Sequence, residues 1–204
     1  MNPVVKNISS HAAYALWQIE GATSELTEKH STDLPLEIQQ CHPQKKVEFI
    51  ASRILLEQLC VHMNTPFDGL DKDEAGKPSL SNSDFHVSIT HSFPLIAVMI
   101  NKLQPCGIDI EKPREQLLRI QHKFLNEQEI KQAKNDLNVL CQYWCAKEVL
   151  YKIYGRKKLS LAGQLSVSFT DTGSLRGEIH KDKIVEKYDL NCEKVDKAYL
   201  VYSL

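Results

Sequence analysis

The chain has no long hydrophobic run, no paired-cysteine motif and no excess of either charge. Its most apolar stretch, Leu95 to Ile100, falls far short of the roughly 18 residues that a bilayer-spanning helix needs. Cys41, Cys60, Cys106, Cys141, Cys145 and Cys192 are scattered without a CxxC pair, so reduced thiols are expected and a disulfide scaffold is excluded. Cys141 and Cys145 are four apart on an expected helix, but no neighbouring Cys or His completes a tetrahedral soft-metal set. With 25 Lys and Arg against 26 Asp and Glu, the net charge of -1 gives no global field for nucleic acid or an anionic membrane. Any charged partner must be met by a local patch. The opening residues Met1-Asn2-Pro3-Val4 lack the basic, apolar and small-residue series of a signal peptide, and a cytoplasmic chain is expected. Neither a Walker loop nor a kinase catalytic loop is present.

What is there is an ordinary globular mixture, 42% apolar and 25% charged over 204 residues, enough for one compact unit or two half-size lobes. Ala13 to Ile19 reads as an opening strand ended by Gly21, with Thr23 or Ser24 as a helix cap. A long helix is predicted from Pro43 to about Met63, with Val47, Ile50, Ile54, Leu55 and Leu59 at helical spacing. Thr65 to Ser83, punctuated by glycine and proline, reads as a loop. Strands follow at Phe85 to Thr90, Leu95 to Asn101 and Cys106 to Glu111. Helical patterning runs from Glu115 to Lys134, broken near Asn126, and again from about Leu137 to Tyr154. Four strand-like runs close the chain: Leu165 to Thr170, Leu175 to Ile179, Ile184 to Leu190 and Ala198 to Ser203. Strand, helix and strands thus occur twice, which predicts an α+β fold of two lobes, residues 1–105 and 106–204, with a cleft between them.

Residues 107 to 111 read Gly-Ile-Asp-Ile-Glu, so Asp109 and Glu111 share one strand face, about 6–7 Å apart. Taken alone, this describes a half-exposed strand with a solvated acidic face. On the later helix, Trp144, Glu148 and Lys152 stand at successive i, i+4 steps. If Glu148 faces the strand carboxylates, each pair at about 6 Å repels by roughly 3 kcal/mol at an effective dielectric of 20. Mg²⁺, which takes hard oxygen ligands and retains waters or substrate phosphates, would relieve that repulsion. An ordinary Glu148–Lys152 helix pair is the competing reading. Between Cys145 and Lys158, Lys147, Lys152, Arg156, Lys157 and Lys158 stand against Glu148 alone, a local +4 suited to a polyanion or to a solvated helix end.

Together, Gly107 to Glu111 and Trp144 to Lys152 resemble the paired signature of the 4'-phosphopantetheinyl transferases, especially the large pseudo-dimeric class that activates carrier domains of synthetases. That signature is a Gly-x-Asp-x-Glu strand followed by Trp-x-x-Lys-Glu-x-x-x-Lys on a helix. Gly76-Lys77-Pro78 resembles the family's loop against the coenzyme A nucleotide. Phe85 to Ser92 resembles its strand ending in Ser-His-Ser, with Thr90 in place of the first serine, and Arg53 resembles its phosphate-binding helix arginine. Val149 departs from the family's usual Ala or Ser, and the tail after Phe169 matches no quoted motif.

The resemblance implies two similar lobes in pseudo-twofold arrangement within a monomer, each a small, mainly antiparallel sheet packed with a long helix. It further implies transfer of the phosphopantetheine arm of coenzyme A to a serine of an apo acyl or peptidyl carrier protein, releasing adenosine 3',5'-bisphosphate. Asp109, Glu111 and Glu148 would hold Mg²⁺, with Glu148 as metal ligand or base and Lys152 on the leaving phosphate. Lys46, Arg53, Lys77, His91 and Lys147, with Gly76, Pro78 and Thr90, would receive the nucleotide. Two alternatives stay open: another Mg²⁺-dependent nucleotide phosphotransferase or phosphohydrolase, and a non-catalytic relic that binds coenzyme A or a carrier.

Overall fold

The computed structural model describes residues 2–20, 26–28, 34–156, 158–170 and 173–204. The expected cap at Thr23 or Ser24 lies outside them. The first sheet contains β1 (Val4–Asn7), β2 (Ala12–Gln18), β3 (Leu70–Lys72), β4 (Pro78–Leu80), β5 (His86–Ser92) and β6 (Leu95–Asn101). Helices α1 (Leu36–Gln39) and α2 (Pro43–His62) fall between β2 and β3. The second half contributes β7 (Ile108–Glu111), β8 (Leu165–Phe169), β9 (Leu175–Lys181), β10 (Ile184–Val195) and β11 (Ala198–Ser203). Its helices are α3 (Gln116–Phe124), α4 (Glu127–Ala133), α5 (Leu137–Tyr154) and α6 (Leu161–Gln164), all between β7 and β8.

Every strand pair is antiparallel, and the orders are β1-β2-β6-β5-β4-β3 and β7-β11-β10-β9-β8. The wiring is the same in both. A first strand (β2 or β7) leads through helix into a four-strand meander whose last strand returns to pair with the first. The first sheet has one addition, β1, a hairpin partner on the outer edge of β2.

Three apolar clusters hold these layers. In the first lobe, Val47, Leu55 and Leu59 of α2 pack on Ala13, Ala15, Ile96 and Val98 of the sheet. In the second, Leu140, Ala146, Val149 and Leu150 of α5 pack on Leu175, Ile179 and Val201. Between the sheets, Tyr14, Leu95, Ala97 and Met99 meet Ile108, Ile110, Leu200 and Tyr202. β6 is therefore apolar at successive residues because both its faces are covered, odd and even positions serving different cores. Each such aliphatic side chain contributes about 1.5–3 kcal/mol on burial. Among the described residues, no helix is long and apolar enough to cross a membrane.

Two local expectations are corrected. Thr65 to Ser83 is not simply a loop: it carries the β3–β4 hairpin, in register Leu70↔Leu80. Asp73 makes the turn, its carboxylate and carbonyl accepting from the amides of Lys77 and Gly76. Gly76 takes the positive φ of +85° that the reversal needs. Strands this short present too little alternation to register as a pattern. The second is Ile184 to Leu190, which continues as β10 to Val195; β1, α1 and α6, all four residues long, had no counterpart in the sequence reading.

Candidate active site

Strand β7 lies at the edge of its sheet, and the neighbouring strand of the other lobe completes it. The amides of Ile108 and Ile110 donate to Ser88 Oγ (3.1 Å) and Thr90 Oγ1 (3.3 Å) of β5. Side-chain hydroxyls thus take the place of a sixth strand. Across the sheet, Gly107 lets β7 approach α5: a Cβ there would lie 2.4 Å from the Val149 carbonyl oxygen and 2.9 Å from Val149 Cγ1. The β-branched Val149 is accommodated because its neighbour has no side chain.

This double contact buries Asp109 to 6% exposure, so the strand does not carry the solvated acidic face that its alternation allows. Asp109 Oδ1 accepts from Thr90 Oγ1 (2.9 Å) and Lys152 Nζ (2.8 Å). Its Oδ2 is buried and, among the described residues, has no hydrogen-bond partner. Glu111 Oε2 accepts from Ser92 Oγ (3.2 Å) and Arg114 Nη2 (2.9 Å). Lys152 also donates to the Ile108 carbonyl (2.7 Å), tying α5 to β7 rather than serving as a simple helix-surface partner for Glu148.

Uncompensated negative potential collects here. Burial, then the Asp109 and Glu111 charges, push the Glu148 carboxyl up to about 6, with Lys152 opposing. Burial also raises Glu111, and Asp109 adds to it against Arg114 and Ser92. Among the described residues, no three His, Cys, Asp or Glu side chains form a ready-made metal cluster. The orphaned Asp109 oxygen and two carboxyls with raised proton affinity nevertheless fit a hard divalent cation, which would replace the protons.

A cavity of ≈ 190 Å³ opens beside these groups, lined by Gly76, Lys77 and Pro78, by Ser88 on β5, and by Lys152 and Arg156. Lys77 Nζ donates to the Ile153 carbonyl (3.3 Å) at the C-terminal end of α5, where a cation meets the negative end of the helix dipole. Gly155 ends α5 with φ +66°, and a Cβ there would come within 2.6 Å of Lys77 Cδ. Pro78 and Ile89 also line a second cavity of ≈ 230 Å³ that contains Arg53, His91 and Lys45. Arg53 stacks 3.6 Å from the Phe49 ring centroid and donates to Ser52 Oγ at 2.9 Å. Arg53, Gly76, Lys77, Pro78, Thr90, His91 and Lys152 thus converge on this region from both lobes.

Two expected nucleotide-binding lysines do not. Lys46 lines a separate cavity with Leu34, Gln39 and Pro43. Its neighbour Lys45, about 100° round the helix, faces Arg53 instead. Lys147 is fully buried, paired with Glu129 Oε2 at 2.9 Å and donating to the carbonyls of Leu161 (3.0 Å) and Leu165 (2.6 Å). It staples α5 to α4 and β8, and burial lowers its proton affinity against the pull of Glu129. The basic run around it is therefore no single patch: Lys147 is internal, Lys152 sits on Asp109, and Lys157 lies outside the described residues. Residues missed by sequence reasoning include Lys45, Glu48, Ser88 and Arg114. The period of two through Ser88, Thr90 and Ser92 on one strand was the available signal for the hydroxyls.

No curated protein matches the chain. The model of one family, the 4'-phosphopantetheinyl transferase superfamily, matches residues 105–202. That span, just under half of the chain, contains Gly107, Asp109, Glu111, Glu148 and Lys152 in the arrangement just described, and over it the chain is similar to the 4'-phosphopantetheinyl transferase superfamily.

Proposed function

We propose that the chain transfers the 4'-phosphopantetheine arm of coenzyme A to a serine hydroxyl of an apo acyl or peptidyl carrier protein, releasing adenosine 3',5'-bisphosphate. The carrying observation is the buried, unpartnered Asp109 Oδ2 beside the raised Glu148 carboxyl and the Lys152 ammonium. Asp109, Glu111 and Glu148 would hold Mg²⁺. When bound, Mg²⁺ neutralises charge on the pyrophosphate of coenzyme A.

The chain's own residues supply the remaining chemistry. The serine oxygen forms a bond to the phosphorus that carries the pantetheine arm, and the bridging P–O bond to the nucleotide breaks. Glu148, where it is not committed to the metal, receives the serine proton directly or through water. Lys152, fixed by Asp109 and the Ile108 carbonyl, donates to the departing phosphate. Arg53 and Lys45 in one cavity and Lys77 and Arg156 in the other offer cationic contacts to the nucleotide. The shared strand order of the two sheets supports reading the molecule as a pseudo-dimeric monomer with a pseudo-twofold axis between lobes.

Incubation with coenzyme A, Mg²⁺ and a panel of apo carrier proteins, followed by intact-mass measurement, tests the reading. The expected result is a phosphopantetheine adduct on at least one carrier. The absence of any adduct across acyl and peptidyl carriers overturns it, and coenzyme A binding without transfer marks a relic.

A further inference from the structure

The cavity that contains Arg53 also contains a buried acid. Glu48 of α2 is 6% exposed, although Lys45, Arg53, Lys72 and His91 line the same space. A buried carboxylate inside a cationic pocket opposes anion binding unless it is committed elsewhere. Here it is committed: Oε1 accepts from Gln44 Nε2 (2.8 Å), and Oε2 lies 3.3 Å from His91 Nδ1.

We propose that Glu48 is a positioning residue that clamps the Nδ1 edge of His91 and leaves Nε2 to meet a phosphate-bearing ligand in this cavity as an N–H donor. A neutral ring held through Nδ1–H would offer an acceptor at Nε2 and repel an anion, so the grip requires the doubly protonated ring. Burial, the largest influence, with Lys45 from α2 and Lys152 from α5, holds the free ring's proton affinity below its ordinary value against Glu48 and the residue's own backbone, so the second proton is taken up with the anion. Arg53 and Lys72 share the cavity, as does the exposed acid Glu37. Glu48 thus spends its charge on the imidazolium, and the cavity keeps a cationic face toward the ligand. The inference rests on the transferase reading only for the identity of that ligand, coenzyme A.

The test uses the ¹⁵N-labelled full chain. Long-range ¹H–¹⁵N spectra of the free wild type should show the neutral His91 ring protonated at Nδ1. An Nε2–H tautomer in the wild type overturns the proposal without any variant. Glu48→Gln should move the ring toward Nε2–H and lower its titration midpoint, with a thermal melt confirming the fold. By calorimetry, coenzyme A should bind Glu48→Gln about tenfold more weakly at pH 7, as expected for one pH unit of lost protonation. The deficit should vanish at acid pH and in a His91→Ala background. An unchanged tautomer and midpoint, or an equal deficit at every pH and in that background, refutes the role of Glu48. If the wild type binds no coenzyme A, the transferase reading fails, while the spectra and an inorganic pyrophosphate titration still decide whether Glu48 sets His91 for phosphate.

Discussion

The two lobes share one strand order and differ in what faces the long helix from the first strand. In β2 those positions are Ala13 and Ala15, packed under α2. In β7 the corresponding face carries Asp109 and Glu111 while Ile108 and Ile110 turn toward the other sheet. The outer edges differ as well. β1 covers β2, whereas among the described residues β7 has no further strand and receives the Ser88 and Thr90 hydroxyls instead. One lobe is closed by backbone pairing and filled with alanine. The other is closed by two hydroxyls, of which that of Thr90 also donates to the buried Asp109 carboxylate, so the same architecture yields an apolar core in one place and a charged one in the other.

The largest effect should come from making the lobes alike at these positions. Asp109→Ala and Glu148→Ala should each lower transfer by roughly 10²–10³-fold or more with circular dichroism unchanged. Activity near wild type in either variant would remove that residue from the site. The reverse exchange, Ala13→Asp, buries an unpartnered charge and should cost about 3 kcal/mol or more in urea denaturation.

A smaller but sharper contrast concerns Gly107, where any Cβ meets the Val149 backbone oxygen at 2.4 Å. Gly107→Ala should destabilise by about 1–3 kcal/mol, and Val149→Ala should not rescue it because the obstructing atom is main chain. Rescue would mean that the side chain, not the carbonyl, sets the approach.

The acidic lobe should also respond to pH. The folded-state carboxyl of Glu148 lies at about 6, above its ordinary value of 4.5. Its protonation therefore stabilises the metal-free fold fully below pH 4.5, and this contribution disappears as pH rises through 6. Glu148→Gln should raise metal-free stability at pH 7.5 by about 2 kcal/mol in denaturant titration. No stability gain in the variant would place the carboxyl in a more hydrated setting.

The smallest difference is between neighbours on α2. Lys45→Ala should raise the KM for coenzyme A several-fold, about 1 kcal/mol, and Lys46→Ala should leave it within error. Equal effects would undo the distinction drawn from their two cavities.

Long periodic elements were legible beforehand. The spans Leu137–Tyr154, Leu95–Asn101 and Ala198–Ser203 coincide with α5, β6 and β11, where apolar spacing and clear terminators agree. The motif residues Asp109, Glu111, Glu148 and Lys152 were legible as a constellation, because two short signatures in order leave few alternatives. Side-chain direction was not. Lys46 and Lys147 were both expected at the nucleotide from the resemblance, yet helix phase takes the first to another cavity and burial takes the second inside. Lys152 was expected at the leaving phosphate, with a helix pair to Glu148 as the competing reading; its reach across to Asp109 is set by the approach of β7, which no local spacing encodes.

An unpaired strand edge is ordinarily an aggregation hazard, since its amides can recruit a strand from another molecule. At β7 that edge is hidden by two hydroxyls of the opposite lobe, so the cover lasts only while the lobes stay together. Self-association under mild denaturation would thus report the parting of the lobes, before either sheet has unfolded.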